Sequence, residues 1–181
     1  MKKQNIFIES LKALKSVRGI ALCAMLIAIS CVLGFAKFGI GQDVNITFFF
    51  LPISIAAVLL GPFPAIAVGG VSDLLGCIIR PTGPYFPGFT LNYMIIGLVY
   101  GIFFYSKKPK LWKIIVARLI LAVVIDLVLT PLWLHILYGT PLVWALFAQR
   151  IAKCAITCPI EIVLMLIVNN AVYKLKEKIG N

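Results

Sequence analysis

The sequence has very few acidic residues and only one histidine. Six Asp and Glu side chains stand against 17 Lys and Arg side chains, and only 13% of the 181 residues are charged. A soluble domain of this length needs more polar side chains to cover its surface. Because 62% of the residues are hydrophobic, the chain has to use lipid as part of its solvent, and we expect an all-α integral membrane protein.

The sequence also lacks the motifs of common enzymes. It contains no Walker A motif, no HExxH and no GxSxG, and it offers no plausible Ser/His/Asp set. Its five cysteines lie in apolar segments without CxxC or Cys/His spacing, which argues against a disulfide framework and against a zinc site. We therefore expect no enzyme activity, no cofactor and no metal, so that any uphill transport must take its energy from another protein.

Apolar segments predict six membrane-spanning helices in one domain, residues 19–174. This domain lies between a basic amphipathic segment, residues 1–18, and a tail, residues 175–181. The short second segment carries Pro52, which predicts a kinked or tilted helix. Gly97 and Gly101 have the GxxxG spacing that indicates close helix packing. The third expected span follows the turn at 61–64 and ends near residue 80. The other five are residues 19–36, 46–60, 89–105, 114–137 and 142–172.

The basic residues flank these spans and indicate their orientation. They form no stripe with interleaved aromatic residues, so nucleic acid is not an expected partner. Thirteen of the 17 Lys and Arg side chains lie on the side of the two termini, and the positive-inside rule places that side in the cytoplasm. The loops at 37–45, 81–88 and 138–141 then lie together outside, where we expect the ligand pocket to open.

Two cations within the sixth predicted span are the strongest candidates for ligand binding. Arg150 and Lys153 lie one helical turn apart with no acid within a turn, and a charge at membrane depth is costly unless it is paired or hydrated. Arginine can also bind a carboxylate through two parallel hydrogen bonds. We expect these residues to bind an anionic ligand, and pairing with Asp73 or Asp126 is the alternative.

Each of the other charged groups has more than one interpretation. Asp73 can accept hydrogen bonds from a heterocycle or pair with Arg80. Asp126 is expected to pair with Arg118 or to bond another helix, and Glu161, which follows Pro159, to be structural or to face a partner.

Aromatic and polar residues are concentrated near the predicted outer mouth. Tyr85, Phe86 and Phe89 favour stacking on a flat ligand or closing a lid over it, and Thr90 and Asn92 continue into the fourth span. His135 lies at the outer end of the fifth span, where an interfacial role and a ligand contact fit equally well.

Several motifs resemble the substrate-binding S components of energy-coupling factor (ECF) vitamin transporters, specifically the folate family. Arg150 and Lys153, followed by Pro159-Ile160-Glu161, are similar to the sixth helix of that family. The resemblance covers essentially the whole chain. The other motifs that carry it are Ile46-Thr47-Phe48-Phe49-Phe50-Leu51-Pro52, Gly61-Pro62, Ser72-Asp73-Leu74-Leu75-Gly76 and Tyr85-Phe86-Pro87-Gly88-Phe89-Thr90-Leu91.

The resemblance implies a high-affinity folate-capturing subunit in a bacterial cell membrane. Such a subunit works with a transmembrane coupling protein and two ATPases of the ABC type. The pterin of folate would stack on aromatic rings and bond Asn or Asp, and its glutamate tail would meet Arg or Lys. Ala21, Ala24 and Ala28 share one face of the first span and resemble the surface that docks on the coupling protein, with packing inside the chain as the alternative.

Asn45 is one departure from the family pattern, which often has a basic residue at this position. It leaves open a folate variant or another small vitamin as the ligand, and a polytopic membrane enzyme is a more distant alternative. The residues expected to bind the substrate are Arg150, Lys153, Asn92, Thr90, Tyr85, Phe86, Phe89, Asp73, Asn45 and His135.

Overall fold

Helices account for almost all of the described chain. The computed structural model describes residues 6–35, 38–40, 44–46, 48–79, 84–105, 110–139 and 144–179. A π-helix, Ala122–Leu129, lies between α6 and α7 without a break in the chain. The α-helices are α1 (Ile6–Lys15), α2 (Val17–Phe35), α3 (Phe50–Leu59), α4 (Pro62–Ile79), α5 (Pro87–Phe104), α6 (Leu111–Leu121), α7 (Thr130–Tyr138) and α8 (Trp144–Ile179).

Five helical stretches are long and apolar enough to cross a membrane, which makes the chain an all-α, multi-pass membrane protein. The sixth expected span corresponds to α3, whose ten residues extend only about 15 Å. Six crossings therefore remain a prediction. The five stretches are Val17–Phe35, Pro62–Ile79, Pro87–Phe104, Leu111–Tyr138 and Arg150–Leu175.

A short β-hairpin precedes α3, where the sequence predicted a polar loop followed directly by a helix. Strands β1 (Phe38–Ile40) and β2 (Val44–Ile46) pair in antiparallel register, with Gly39 opposite Asn45. The hairpin occupies the start of the expected second span, so that α3 begins only at Phe50. Pro52 then falls in the first turn of α3, where backbone N–H groups have no partner within the helix, and it need not kink the helix.

The core forms around α3 and the tightly packed pair α4 and α5. Ile53 and Ala56 of α3 are completely buried, because α2, α4, α5 and α8 surround this helix. The predicted close packing at Gly97 and Gly101 is confirmed: a Cβ atom at either position would overlap the α4 backbone at Ala65 or Pro62. The glycines thus bring the α5 backbone directly against α4 and fix the wall from which α5 side chains extend.

Helix α1 is tied to the ends of two spanning helices. Ser10 Oγ accepts a hydrogen bond of 2.8 Å from the backbone N–H of Phe63, at the start of α4. The Tyr105 hydroxyl, just after α5, donates to Glu9 at 3.2 Å. Burial raises the pKa of Tyr105, and the nearby Glu9 carboxylate raises it further, so the hydroxyl keeps the proton that it donates. The amphipathic helix expected near the N-terminus is therefore part of the packed structure.

The π-helix arises where a proline follows a threonine inside a long apolar segment. Pro131 has no N–H, and its ring would collide with the carbonyl of Leu127 in a regular α-helix. The wider π-turn avoids this collision, and the carbonyl of Ile125 accepts both the N–H and the hydroxyl of Thr130, the latter at 2.8 Å. This π-helix was not predicted from the sequence, although it forms part of the candidate site.

Candidate ligand-binding site

A cavity of about 250 Å³ lies between α5, the π-helix and α8 and reaches the start of α3. Its apolar side is mainly aromatic, and its polar side carries ionised groups from α6, the π-helix and α8. Aromatic rings beside charged groups suit a ligand that has a flat part and an ionised part. The aromatic lining consists of Phe49, Phe50, Phe89, Tyr93 and Tyr100, and the charged lining consists of Arg118, Asp126, Arg150, Lys153 and Glu161.

One cation and two acids form an ion-pair network at one end of the cavity. Arg118 Nη1 lies 3.2 Å from Asp126 Oδ2, and Arg118 Nε lies 2.5 Å from Glu161 Oε2. The predicted pairing of Asp126 with Arg118 is thus confirmed, and Glu161 joins it in a structural role. Because Arg118 is only 9% exposed, the two acids supply the charge that its burial requires.

Arg150 and Lys153 supply the charge that is not neutralised within the cavity. Both side chains are partly buried in its wall, and neither forms a salt bridge with any residue that the structure describes. In particular, Asp126 is engaged by Arg118, so the alternative pairing considered for the two cations is not observed. The cavity therefore holds three cations and two acids, an arrangement that an anion would complete.

Asn92 lies in the same cavity, but its side chain is bonded to other residues of the protein. Its Oδ1 accepts a hydrogen bond of 3.1 Å from Trp133 Nε1, and its Nδ2 donates to Thr130 Oγ1 at 3.5 Å. Asn92 is 5% exposed. These contacts connect α5 with α7 and with the end of the π-helix.

Asp73, Thr90 and Tyr85 form a separate polar cluster between α4 and the start of α5. Thr90 Oγ1 donates to Asp73 Oδ2 at 2.6 Å, and because this uses its only proton, the Tyr85 hydroxyl donates to Thr90 at 3.0 Å. Asp73 lines a second cavity of about 250 Å³ together with Phe86 and Phe89. Arg80, the other expected partner of Asp73, lies outside the described residues.

The remaining expected site residues lie in different parts of the structure. Phe89 lines both cavities, and Phe86 packs against it with 6.1 Å between ring centroids. His135 is exposed on α7 and lines neither of these cavities. Asn45 lies in β2, but its side chain is outside the described part of the structure. Only some of the expected residues are therefore brought together around Arg150.

The small residues expected to dock on a partner are not covered by the part of the chain that the structure describes. Ala21, Ala24 and Ala28 are all exposed on α2. The buried residues of that helix, which include Cys23 and Leu26, lie on its other face. The alternative that these alanines serve packing inside the chain is therefore not what the structure shows.

Several lining residues were not recognised from the sequence, and two tyrosines and a threonine are the most informative of them. Tyr93 and Tyr100 of α5 both line the cavity. Their spacing of seven residues, which puts both on the face of α5 that carries Phe89, was an available signal. Thr130 reaches the site through the π-helix, and its position directly before Pro131 was the only indication in the sequence.

Comparisons with known proteins assign the chain to a family. The family model described as ECF transporter, substrate-specific component, matches residues 18–170. The chain is 39% identical over 122 residues to the Folate transporter FolT of Clostridium novyi (strain NT), covering 67% of this chain and 70% of the relative. It is 30% identical over 151 residues to the Folate transporter FolT of Leuconostoc mesenteroides, covering 80% of each chain.

A solved structure is similar over nearly its whole length. It is described as the crystal structure of FolT bound with folic acid, and its sequence is 35% identical to this chain. The superposition gives a TM-score of 0.79 and covers 87% of this chain and 98% of that chain. The overall fold is thus shared with a protein whose structure was solved with folic acid bound.

Proposed function

Because the chain belongs to the substrate-specific components of ECF transporters, in the folate family, we propose that it captures folate for import into the cell. The family is a transporter family, so the expected activity is binding and delivery, without chemical change of the ligand. The ligand assignment draws on the names of the similar proteins and on the chemistry of the cavity.

The observation that carries the proposal is the pair of cations, Arg150 and Lys153, in a cavity with aromatic walls. Folate has a flat pterin and a glutamate tail with two carboxylates. A guanidinium can bind one carboxylate through two parallel hydrogen bonds, and a lysine ammonium attracts the other as a point charge. Phe89 and Tyr93 provide flat surfaces on which the aromatic part of the ligand can stack.

We propose that the protein lies in the bacterial cell membrane with both termini in the cytoplasm and the cavity open to the outside. The distribution of basic residues supports this orientation. The proposed path of the ligand then starts at the aromatic cluster around Phe86 and ends in the cavity beside Arg150.

Delivery into the cell requires an energy source, and the sequence carries no ATP-binding motif that could supply it. We propose that the exposed face of Ala21, Ala24 and Ala28 docks on a transmembrane coupling protein that works with two ABC-type ATPases. Small side chains allow close approach of another helix in lipid, and no described residue of the chain covers this face.

A ligand-dependent stability measurement tests the proposed function. Purified protein in detergent is heated with folic acid, with a pterin that lacks the glutamate tail, and with a chemically unrelated vitamin. Folic acid is expected to raise the melting temperature most, because a ligand bound only by the folded state stabilises that state. If the unrelated vitamin raises it and folic acid at saturating concentration does not, the folate assignment is wrong.

A further inference from the structure

A chain of hydrogen bonds links the aromatic cluster at the mouth to the π-helix. Trp133 Nε1 donates to Asn92 Oδ1 at 3.1 Å, and Asn92 Nδ2 donates to Thr130 Oγ1 at 3.5 Å. Thr130 Oγ1 in turn donates to the carbonyl oxygen of Ile125 at 2.8 Å. Every donor in this chain has a defined acceptor, so the four residues are held in one arrangement.

Asn92 exposes little of its side chain to a ligand. Both polar atoms of its side chain have protein partners, and the residue is 5% exposed. Each of these two atoms keeps one further hydrogen-bonding position, so a ligand contact at Asn92 would add to the protein bonds without replacing them. The geometry therefore favours a role in holding other residues, although the sequence suggested a ligand contact.

The last hydrogen bond of this series, from Thr130 to Ile125, stabilises the π-helix. Pro131 prevents a regular α-helical turn, and the Thr130 hydroxyl gives the Ile125 carbonyl a second donor in addition to the Thr130 N–H. The π-helix carries Asp126, which lines the cavity and pairs with Arg118. The conformation of this segment thus sets where an acid of the charge network lies.

Trp133, the first residue of this hydrogen-bond series, fixes the start of α5. The ring centroids of Trp133 and Phe86 lie 5.6 Å apart. A Cβ atom at Gly88 would lie 2.7 Å from Trp133 Cδ2, so the backbone at this point rests directly on the indole. Because Phe89 follows immediately and lines the cavity, the orientation of Trp133 sets the position of that ring as well.

We propose that Asn92 and Thr130 are positioning residues that hold Trp133 and the π-helix in the arrangement that binds the ligand. This inference rests on the proposed function, because it concerns affinity for folate. The positioning role differs from the role proposed for Arg150, which contacts the glutamate tail of the ligand. Loss of these hydrogen bonds displaces Trp133 and with it Phe89, on which the flat part of either ligand can stack, so binding of folic acid and binding of a tail-less pterin weaken by a similar factor.

The matched variants Thr130→Val and Thr130→Ser test the proposal. Valine has the shape of threonine without the hydroxyl, whereas serine keeps the hydroxyl. We expect Thr130→Val to lower the affinity for both ligands about tenfold, as for one lost buried hydrogen bond. The affinities of Thr130→Ser should stay within about threefold of wild type. Equal affinities for the two variants, or a loss confined to folic acid, would overturn the proposal.

A second measurement needs no ligand and reports on Trp133 directly. In a Trp112→Phe, Trp144→Phe background, acrylamide quenching measures the accessibility of the remaining indole. Quenching should increase in Thr130→Val and be restored to the wild-type value in Thr130→Ser; unchanged quenching in both would refute the coupling. If the wild-type protein binds no folic acid, the proposed function fails, while this comparison still decides whether the chain holds Trp133.

If Thr130→Val does not fold, the variant Trp133→Phe tests the same series of hydrogen bonds at its first donor. Phenylalanine keeps a ring against Phe86 but has no N–H to donate to Asn92. We expect about a tenfold loss of affinity for both ligands. A loss below about threefold would show that the Trp133–Asn92 bond does not position the site.

Discussion

Replacing Arg150 by alanine tests the ligand site at the residue on which the proposed function most depends. The side chain is partly buried in the cavity wall and forms no salt bridge with the described residues, so its removal leaves no protein acid without a partner. A hydrogen bond to a charged group contributes about 1.5–3 kcal/mol. We take about 2–3 kcal/mol for a bidentate contact in this partly hydrated site, which is a loss of about 30- to 150-fold in affinity for folic acid.

The assay is calorimetric titration of the purified protein with folic acid and with a pterin that lacks the glutamate tail. Arg150→Ala should lower the affinity for the tail-less pterin by less than about threefold, because that ligand offers no carboxylate. Arg150→Lys, which keeps the charge and loses the two parallel bonds, should lie between alanine and wild type. Lys12→Ala, an exposed cation on α1, serves as the control and should change neither affinity. Equal losses for both ligands would remove Arg150 from recognition of the tail.

Three further predictions concern the fold and the partner surface. Arg118→Met leaves two acids in the cavity wall without their cation and should destabilise the protein by about 3–5 kcal/mol, seen as a lower melting temperature; an unchanged melting temperature would contradict the role of the ion pairs. Gly97→Leu should prevent folding because its side chain would overlap the α4 backbone, whereas Ile102→Leu on the exposed face of α5 should be tolerated; normal expression of both would contradict the packing. Ala24→Leu with Ala28→Leu should keep folic acid binding and abolish uptake into cells, and surviving uptake would show that this face does not dock.

The spanning helices were predictable because lipid imposes a simple rule on the sequence. Apolar segments of sufficient length between basic clusters gave five of the stretches that the structure contains. The second segment was misjudged at its start, because Ile46, the first residue of the predicted apolar helix, is the last residue of strand β2, where it pairs with Phe38. Hydropathy does not distinguish a short strand from the first turn of a helix.

The cations of the site were predictable, and the bonding of its polar residues was not. Arg150 and Lys153 stood out because a charge in an apolar span needs a reason. The hydrogen bond between Trp133 and Asn92 depends on how α5 and α7 pack against each other. A polar residue within a predicted span does not indicate which helix it will contact. Thr130 was missed because a π-helix has no reliable sequence pattern, and only the following proline hinted at it.

The most direct measurement of the central claim is an experimental structure of this protein with folic acid bound. We expect a carboxylate of the glutamate tail within hydrogen-bonding distance of the Arg150 guanidinium, with Lys153 beside it and the aromatic part of the ligand against Phe89. A ligand whose carboxylates lie away from both cations, or one seated in the second cavity beside Asp73, would contradict it.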